Sequence, residues 1–434
     1  MLKKNLTLMG LLSFSLMLGQ FSKSNIELSS DFVESILIDK RGVEWVGTDE
    51  GLNLITHNDN NSFYSNISNK KGLLNSEIFN LEEVDNGFIA AFSNDGISFF
   101  NPKTYDFKRV ILNSSPISIY KDNLKNNYWV TTSSSGIYQI NNNFEIELNL
   151  IYDPLNPLSL SHSKFDIDNK NLLIDLDDDK LSYIATSNGF NAYDRAQKTI
   201  KRYFKKRSST LLSNNINQIH RISDSQLLVI TDNGLNIFNT KSKKFSNKII
   251  AKGKNIQQLF QISKKKFAFT SNGNLYSFTL NNSESDNEFK PELKISENNN
   301  MRFIKENSYL YGFSKGSQEL VKVNLGNFKK EVLNFPAIIQ TVNLTDKNNI
   351  LVGTSEGLYK ENIKQNLVKN VNLKDGVYFY EISKNKKVLV YRDHVIVEDL
   401  VNKKREKINF PFNLKVILET IFQLNNSLLL IGNK

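Results

Sequence analysis

Few residues in this chain stand at spacings that could do chemistry. The pattern G-x-S-x-G occurs once, as GFSKG from Gly312 to Gly316. In hydrolases that pattern lifts a nucleophilic serine onto a strand-to-helix elbow. No helical periodicity follows it here, and the neighbouring unit reads VGTSEG at the same place, so Ser314 is expected between two strands. DIDNKN (Asp166 to Asn171) starts like a calcium loop. Such a loop needs glycine at its sixth position and glutamate at its twelfth, where this chain has Asn171 and Asp177. DLDDD (Asp175 to Asp179) fails likewise, with Lys180 in the glycine place, and is read as a polar turn between strands. The four histidines, His57, His162, His220 and His394, are widely separated and form no H-x-x-x-H pair. There is no cysteine, which excludes a disulfide framework, a thiolate zinc site and a thiol nucleophile. No phosphate loop of the G-x-x-x-x-G-K type is present. The expectation is no catalytic residue, no metal and no cofactor.

Charge narrows the partners. The net charge is +10, gathered in clumps such as KTIKRYFKKR (Lys198 to Arg207) and NKKREK (Asn402 to Lys407). These clumps fall between strand patterns, not along one helix or one aromatic platform, so they read as solvated loops and nucleic acid is not expected as a partner. Lys3 and Lys4 precede an apolar run from Leu6 to Leu18, the order of a secretory signal peptide. That run is too short for a stable bilayer span. Residues 1–22 are therefore expected to direct export, with cleavage near Gly19, Gln20 or Ser22.

The elements that would position any site are strands. Hydrophobic residues make up 39% and charged residues 23%, which is enough apolar material for a large core. SILIDKRGVEWVGTDEGLNLI (Ser35 to Ile55) reads as strand, D-x-x-G turn, strand, glycine turn and strand, and NSFYSNI (Asn61 to Ile67) alternates like a fourth strand. Variants of this unit carry Gly96, Gly136, Gly189, Gly234, Gly273, Gly316 and Gly357. Two further units, KVLVYRDHVIVED and SLLLIGNK, end the chain. A four-stranded unit of roughly forty residues is the signature of a propeller blade. Trp45, Trp129, Tyr183 and Phe267 fall on second strands and are assigned to packing between blades.

Ten units exceed the usual ring of about four to eight blades. The expectation is an all-β β-propeller of four-stranded blades: one seven-bladed ring over residues 23–330, then three blades of a second, truncated ring over 331–434. A chain that stops within a repeat is expected to be the N-terminal piece of a longer protein.

The segment D-x-x-G-x-x-W-V-G-T-x-x-G-L-N (Asp39 to Asn53) resembles the two-component regulator propeller repeat. YDPLNPLSLSHSKF (Tyr152 to Phe165) and GLLNSEIFNL (Gly72 to Leu81) are similar to that family's connectors between blades. The resemblance implies the periplasmic sensor region of a bacterial membrane-bound regulator. It implies a response to glycan fragments, and a β-sandwich, a membrane helix and a kinase or DNA-binding output in sequence beyond Lys434. Contact with the membrane is expected only through that sequence.

In a propeller, the turns between second and third strands share a face with the connectors between blades, and that face usually carries the ligand. The longest connectors, about Tyr152 to Ser163 and Lys205 to Ser213, place Tyr152, Asn156, His162, Lys206 and Arg207 as candidate ligand-binding residues. The expected partners are an oligosaccharide or other small ligand and a second copy of the chain. The competing readings are an exported scaffold or secretion-accessory propeller and a propeller lyase.

Overall fold

The computed structural model describes residues 21–24, 26–55, 60–63, 72–122, 126–166, 171–175, 181–206, 210–280, 291–295, 301–314, 316–344, 350–361, 378–383, 386–390, 394–399, 404–409, 417–424 and 427–433. All regular structure in them is β except one 3-10 turn, Asp85–Gly87. Among the described residues, no helix is long and apolar enough to cross a membrane.

Each of the first seven repeat units forms one antiparallel four-stranded sheet, as expected. Blade 1 begins at Val33–Ile38 and ends at Asn60–Phe63. Blade 2 runs from Asn80–Glu83 to Asp106–Ile111, and blade 3 from Pro116–Asp122 to Ile146–Leu150. Blade 4 runs from Leu173–Asp175 to Thr199–Tyr203, and blade 5 from Ile216–Ser223 to Lys244–Ile250. Blade 6 runs from Gln258–Gln261 to Leu293–Lys294, and blade 7 from Met301–Glu306 to Lys330–Asn334.

The ring does not end there. Ile339–Leu344, Ile350–Thr354 and Gly357–Glu361 form three strands of an eighth blade, and its fourth is the N-terminal strand Phe21–Lys23. That strand pairs Phe21 with Glu361, Ser22 with Lys360 and Lys23 with Tyr359. Blade 8 then packs on blade 1. Val33, Ile36, Val46 and Ile55 share one buried cluster with Leu351 and Leu358. Asn343 Nδ2 donates to the Ile36 carbonyl at 2.8 Å, and Lys360 Nζ meets Glu44 Oε2 at 2.6 Å. The expected seven-bladed ring ending near residue 330 is therefore corrected to a closed ring of eight. The eight glycine turns from Gly51 to Gly357 match the eight blades, but the closing strand carries no turn, so the sequence does not mark Phe21–Lys23 as its last strand. Phe21 and Ser22, assigned from sequence to the export segment, lie in that strand. Beyond the ring stand one four-stranded sheet, from Tyr378–Ser383 to Lys404–Asn409, and a two-stranded hairpin, Ile417–Leu424 with Ser427–Asn433.

The residues that define the repeat have local duties. Asp39 closes the turn after the first strand: Gly42 N donates to its carbonyl at 2.8 Å, and its Oδ2 accepts Trp45 Nε1 at 3.1 Å. At the next turn, the hydroxyl ending the second strand donates to the glycine carbonyl. Thr48 to Gly51, Ser93 to Gly96, Thr132 to Gly136, Thr186 to Gly189, Thr231 to Gly234 and Thr354 to Gly357 all do so. Glycine is needed for a second reason: a Cβ on Gly96 or Gly136 would stand 2.0 Å from the carbonyl oxygen of Val110 or Leu150 on the outer strand. Both also have φ in the left-handed half of the map, +142° and +80°.

The second-strand aromatics pack across the seams as expected. Trp45 meets Phe100 of blade 2 at 5.2 Å between centroids, Trp129 meets Tyr193 of blade 4 at 5.9 Å, and Tyr183 meets Phe238 of blade 5 at 5.5 Å. Gly312 lies inside the strand Tyr309–Ser314 and Ser314 ends it; the next element is another strand, Glu319–Asn324, where a serine elbow would lead into a helix.

Candidate functional site on the connector face

Antiparallel order puts the second-to-third turns and the connectors between blades on one face. The connector from blade 3 to blade 4 is the most built part of it. It starts from Leu150, the end of an outer strand, and crosses to Phe165 before blade 4 begins. Arg202, on the outer strand of blade 4, holds it from below. Arg202 Nε donates to the Ser159 carbonyl at 2.7 Å, and Nη2 donates to the Asn156 carbonyl at 2.7 Å and to Ser159 Oγ at 2.5 Å. Ile200 N donates to the Leu158 carbonyl at 2.9 Å. The connector thus covers the exposed edge of blade 4, the place where an open propeller blade invites unwanted pairing. Asx turns stiffen it: Asp153 Oδ1 accepts Leu155 N, and Asn156 Oδ1 accepts Leu158 N, both at 2.9 Å.

The far end of the connector is clamped in the core. Ser161 is buried, its N donates to Asn191 Oδ1 at 2.9 Å, and its Oγ lies 2.9 Å from Thr186 Oγ1. The same clamp serves blade 1, where Asn53 holds Ser29, and blade 5, where Asn236 Oδ1 accepts Leu212 N at 3.0 Å. Ser161 of the Ser-Leu-Ser segment and Asn191 of Gly-Phe-Asn are therefore two halves of one lock.

Between these anchors the structure brings two of the sequence-proposed residues together. The Tyr152 and His162 rings stack with centroids 6.2 Å apart at 16°. Arg202 Cζ lies 5.5 Å from the centre of the Tyr152 ring, a cation–π contact. His162 Nδ1 accepts Lys164 N at 3.0 Å and lies 3.2 Å from Ser187 Oγ in the blade 4 turn. A neutral His162 therefore carries its proton on Nε2. Asn156 is exposed; its Oδ1 accepts Leu158 N and its carbonyl accepts Arg202 Nη2 and Ser159 N. Lys206 is exposed at the end of the blade 4 outer strand, and Arg207 lies outside the described residues. Arg202, Ser159 and Ser187 were missed by sequence reasoning. Arg202 sits within the KTIKRYFKKR run, where its charge looked like one more solvated cation.

A second polar cluster lies on the opposite face, in the seam between blades 3 and 4. Arg195 is buried between Asp122 Oδ1 at 2.5 Å and Asp175, and its Nε donates to Ser182 Oγ at 2.9 Å. Gln139 Nε2 completes Asp122 at 3.0 Å. Burial pushes the Asp175 carboxyl up, against the pull of Arg195, while the two carboxylates together hold the guanidinium charged despite its own burial. Asp122 stands where Asp39 stands in blade 1, but it is turned to Arg195, and Trp129 Nε1 has no acceptor among the described residues. Closed off from solvent, this cluster ties two blades and offers no opening to a ligand. Among the described residues, no three histidines and carboxylates stand together to hold a metal ion.

The fold and the site define a closed eight-bladed propeller with an aromatic, cation-capped platform on its connector face. No family model matches the sequence, and no curated protein matches it. Solved structures similar to it include the extracellular domain assigned to a hybrid two component system of B. thetaiotaomicron, with a TM-score of 0.46 at 17% identity over 91% of this chain. This chain spans about half, 49%, of that structure. The extracellular domain assigned to a one component system of the same organism has a TM-score of 0.34 at 13% identity, over 92% of this chain and 63% of that one. A virginiamycin B lyase from Staphylococcus aureus has a TM-score of 0.43 at 13% identity, over 79% of this chain and 99% of that one.

Proposed function

We propose that this chain is a non-catalytic, ligand-sensing propeller region of an exported bacterial regulator. The observation that carries the reading is the Tyr152–His162–Arg202 platform, a pre-built and solvent-facing aromatic surface on the connector face. Flat aromatic faces with flanking donors suit sugar rings, whose C–H faces stack and whose hydroxyls take hydrogen bonds. Support also comes from the repeat itself, which resembles the two-component regulator propeller. Export rests on the signal-like N-terminus, and the signal would pass onward by differential affinity of the ligand for two arrangements of the protein.

Calorimetric titration of a panel of oligosaccharides tests this. The expected result is saturable binding of at least one, weakened by about tenfold or more in Tyr152→Ala. Binding that Tyr152→Ala and His162→Ala leave unchanged would remove the platform from the account. Conversion of the ligand into a new product would replace the sensor with a lyase or hydrolase.

A further inference from the structure

Arg202 has a donor to spare and no counter-ion. Its Nε and Nη2 are spent on neutral oxygens, the carbonyls of Ser159 and Asn156 and the Ser159 hydroxyl. Asp153 is the one acidic residue between Ile151 and Phe165. It offers Arg202 only its carbonyl, 3.5 Å from Nη2, and turns its Oδ1 onto Leu155 N. Among the described residues no carboxylate stands within ion-pair reach of this guanidinium, and Nη1 has no acceptor although it is not sealed from solvent. Arg195 shows the contrast: the carboxylates of Asp122 and Asp175 meet its two Nη atoms.

The platform beside Arg202 has the same surplus. His162 Nδ1 accepts Lys164 N, so the proton of the neutral ring sits on Nε2, and Nε2 is open to solvent with no partner among the described residues. The Oδ1 of Asn156 and the carbonyls of Asn156 and Ser159 are already taken. A planar guanidinium fixed through Nε and Nη2 presents Nη1 at little further entropic cost, and the partner such a fork suits best is an anion.

We propose that the ligand of the Tyr152–His162–Arg202 platform is an acidic saccharide, with a carboxylate or sulfate group on Arg202 Nη1 and a sugar ring against the aromatic surface. This rests on the sensing reading above and narrows it to a substrate class. A neutral sugar would cover the Arg202 charge without compensating it, at a cost in desolvation that an anionic group offsets.

Calorimetric titration of the full chain with matched pairs tests this. Oligomers of galacturonic and glucuronic acid are titrated beside their methyl esters, and sulfated galactan oligomers beside the desulfated ones. Each pair keeps the rings and removes the charge. At least one acidic member should bind about tenfold or more tighter than its neutral partner, and added salt should narrow that ratio. The pair that shows it separates carboxylate from sulfate. Arg202→Gln should erase the ratio. An Arg202 that only anchors the connector would lower both members of a pair alike and leave the ratio intact, so the ratio separates the two roles even where the connector loosens. The proposal is overturned if no acidic member outbinds its neutral partner, or if the ratio survives in Arg202→Gln. Binding of neutral saccharides alone would overturn it and leave the sensing platform standing. Binding of no saccharide, neutral or acidic, would remove both.

Discussion

Asn191 Nδ2 lies 2.9 Å from Ser161 Oγ, joining the third strand of blade 4 to the connector that leads into the same blade. Both side chains are buried. In this pair the blade locks its own lead-in segment, as Asn53 and Asn236 do in blades 1 and 5, and the platform residues Tyr152 and His162 lie on the connector that this lock and Arg202 hold. Replacing Asn191 with Ala strands Ser161 N in the core, while Thr186 Oγ1 still partners the Ser161 hydroxyl. The expected loss is about 2–3 kcal/mol in urea unfolding, with faster amide exchange across 152–164.

Arg195 is the sole described cation in the seam cluster with Asp122 and Asp175. Arg195→Ala would leave two buried carboxylates facing each other and should cost about 3–5 kcal/mol. Combining Arg195→Met with Asp122→Asn and Asp175→Asn should recover much of that loss, because no net charge is then buried. A triple variant no more stable than Arg195→Ala would show that the cluster acts through shape and not through charge.

Ring closure rests on three N-terminal residues. Deleting residues 21–23 should open the outer edge of blade 8 and speed amide exchange over 357–361 by about tenfold or more. It also bears on export: a cut after Ser22 would remove two of the three strand residues. N-terminal sequencing of the exported protein is expected to find cleavage ahead of Phe21.

His220 provides a pH signature. Burial holds its imidazole below the ordinary value, with partial relief from Gln261 Oε1 at 3.3 Å. The unfolded chain therefore takes up a proton near pH 6.5 that the folded chain refuses until lower pH. Stability should fall as pH drops from about 6.5 to the lowered folded value, then show no further loss from this group. His220→Gln should flatten that slope in denaturation curves measured across this range.

The repeat, the four-stranded blade and the inter-blade role of Trp45, Trp129 and Tyr183 were legible in the sequence because they depend on period and on local turn chemistry. The closure of the ring was not. Closure depends on Phe21–Lys23 meeting Gly357–Glu361 across the whole ring, a pairing with no local mark. The site was legible in part for the same reason. Tyr152 and His162 share one connector, so loop length pointed to both. Arg202 enters from a different strand, and Asp122, Asp175 and Arg195 come from separate segments, so no spacing rule could join them. Asn156 is exposed on the same connector, with its Oδ1 accepting Leu158 N in the turn.

The most direct test of the sensing account is a hydrogen-exchange footprint of the chain with a ligand recovered from the oligosaccharide panel. The account predicts protection over 151–164 and 186–190, on the connector face, with the ligand recovered chemically unchanged. Protection confined to the opposite face, around 220–226 and 262–266, or a ligand altered by the incubation, would contradict it.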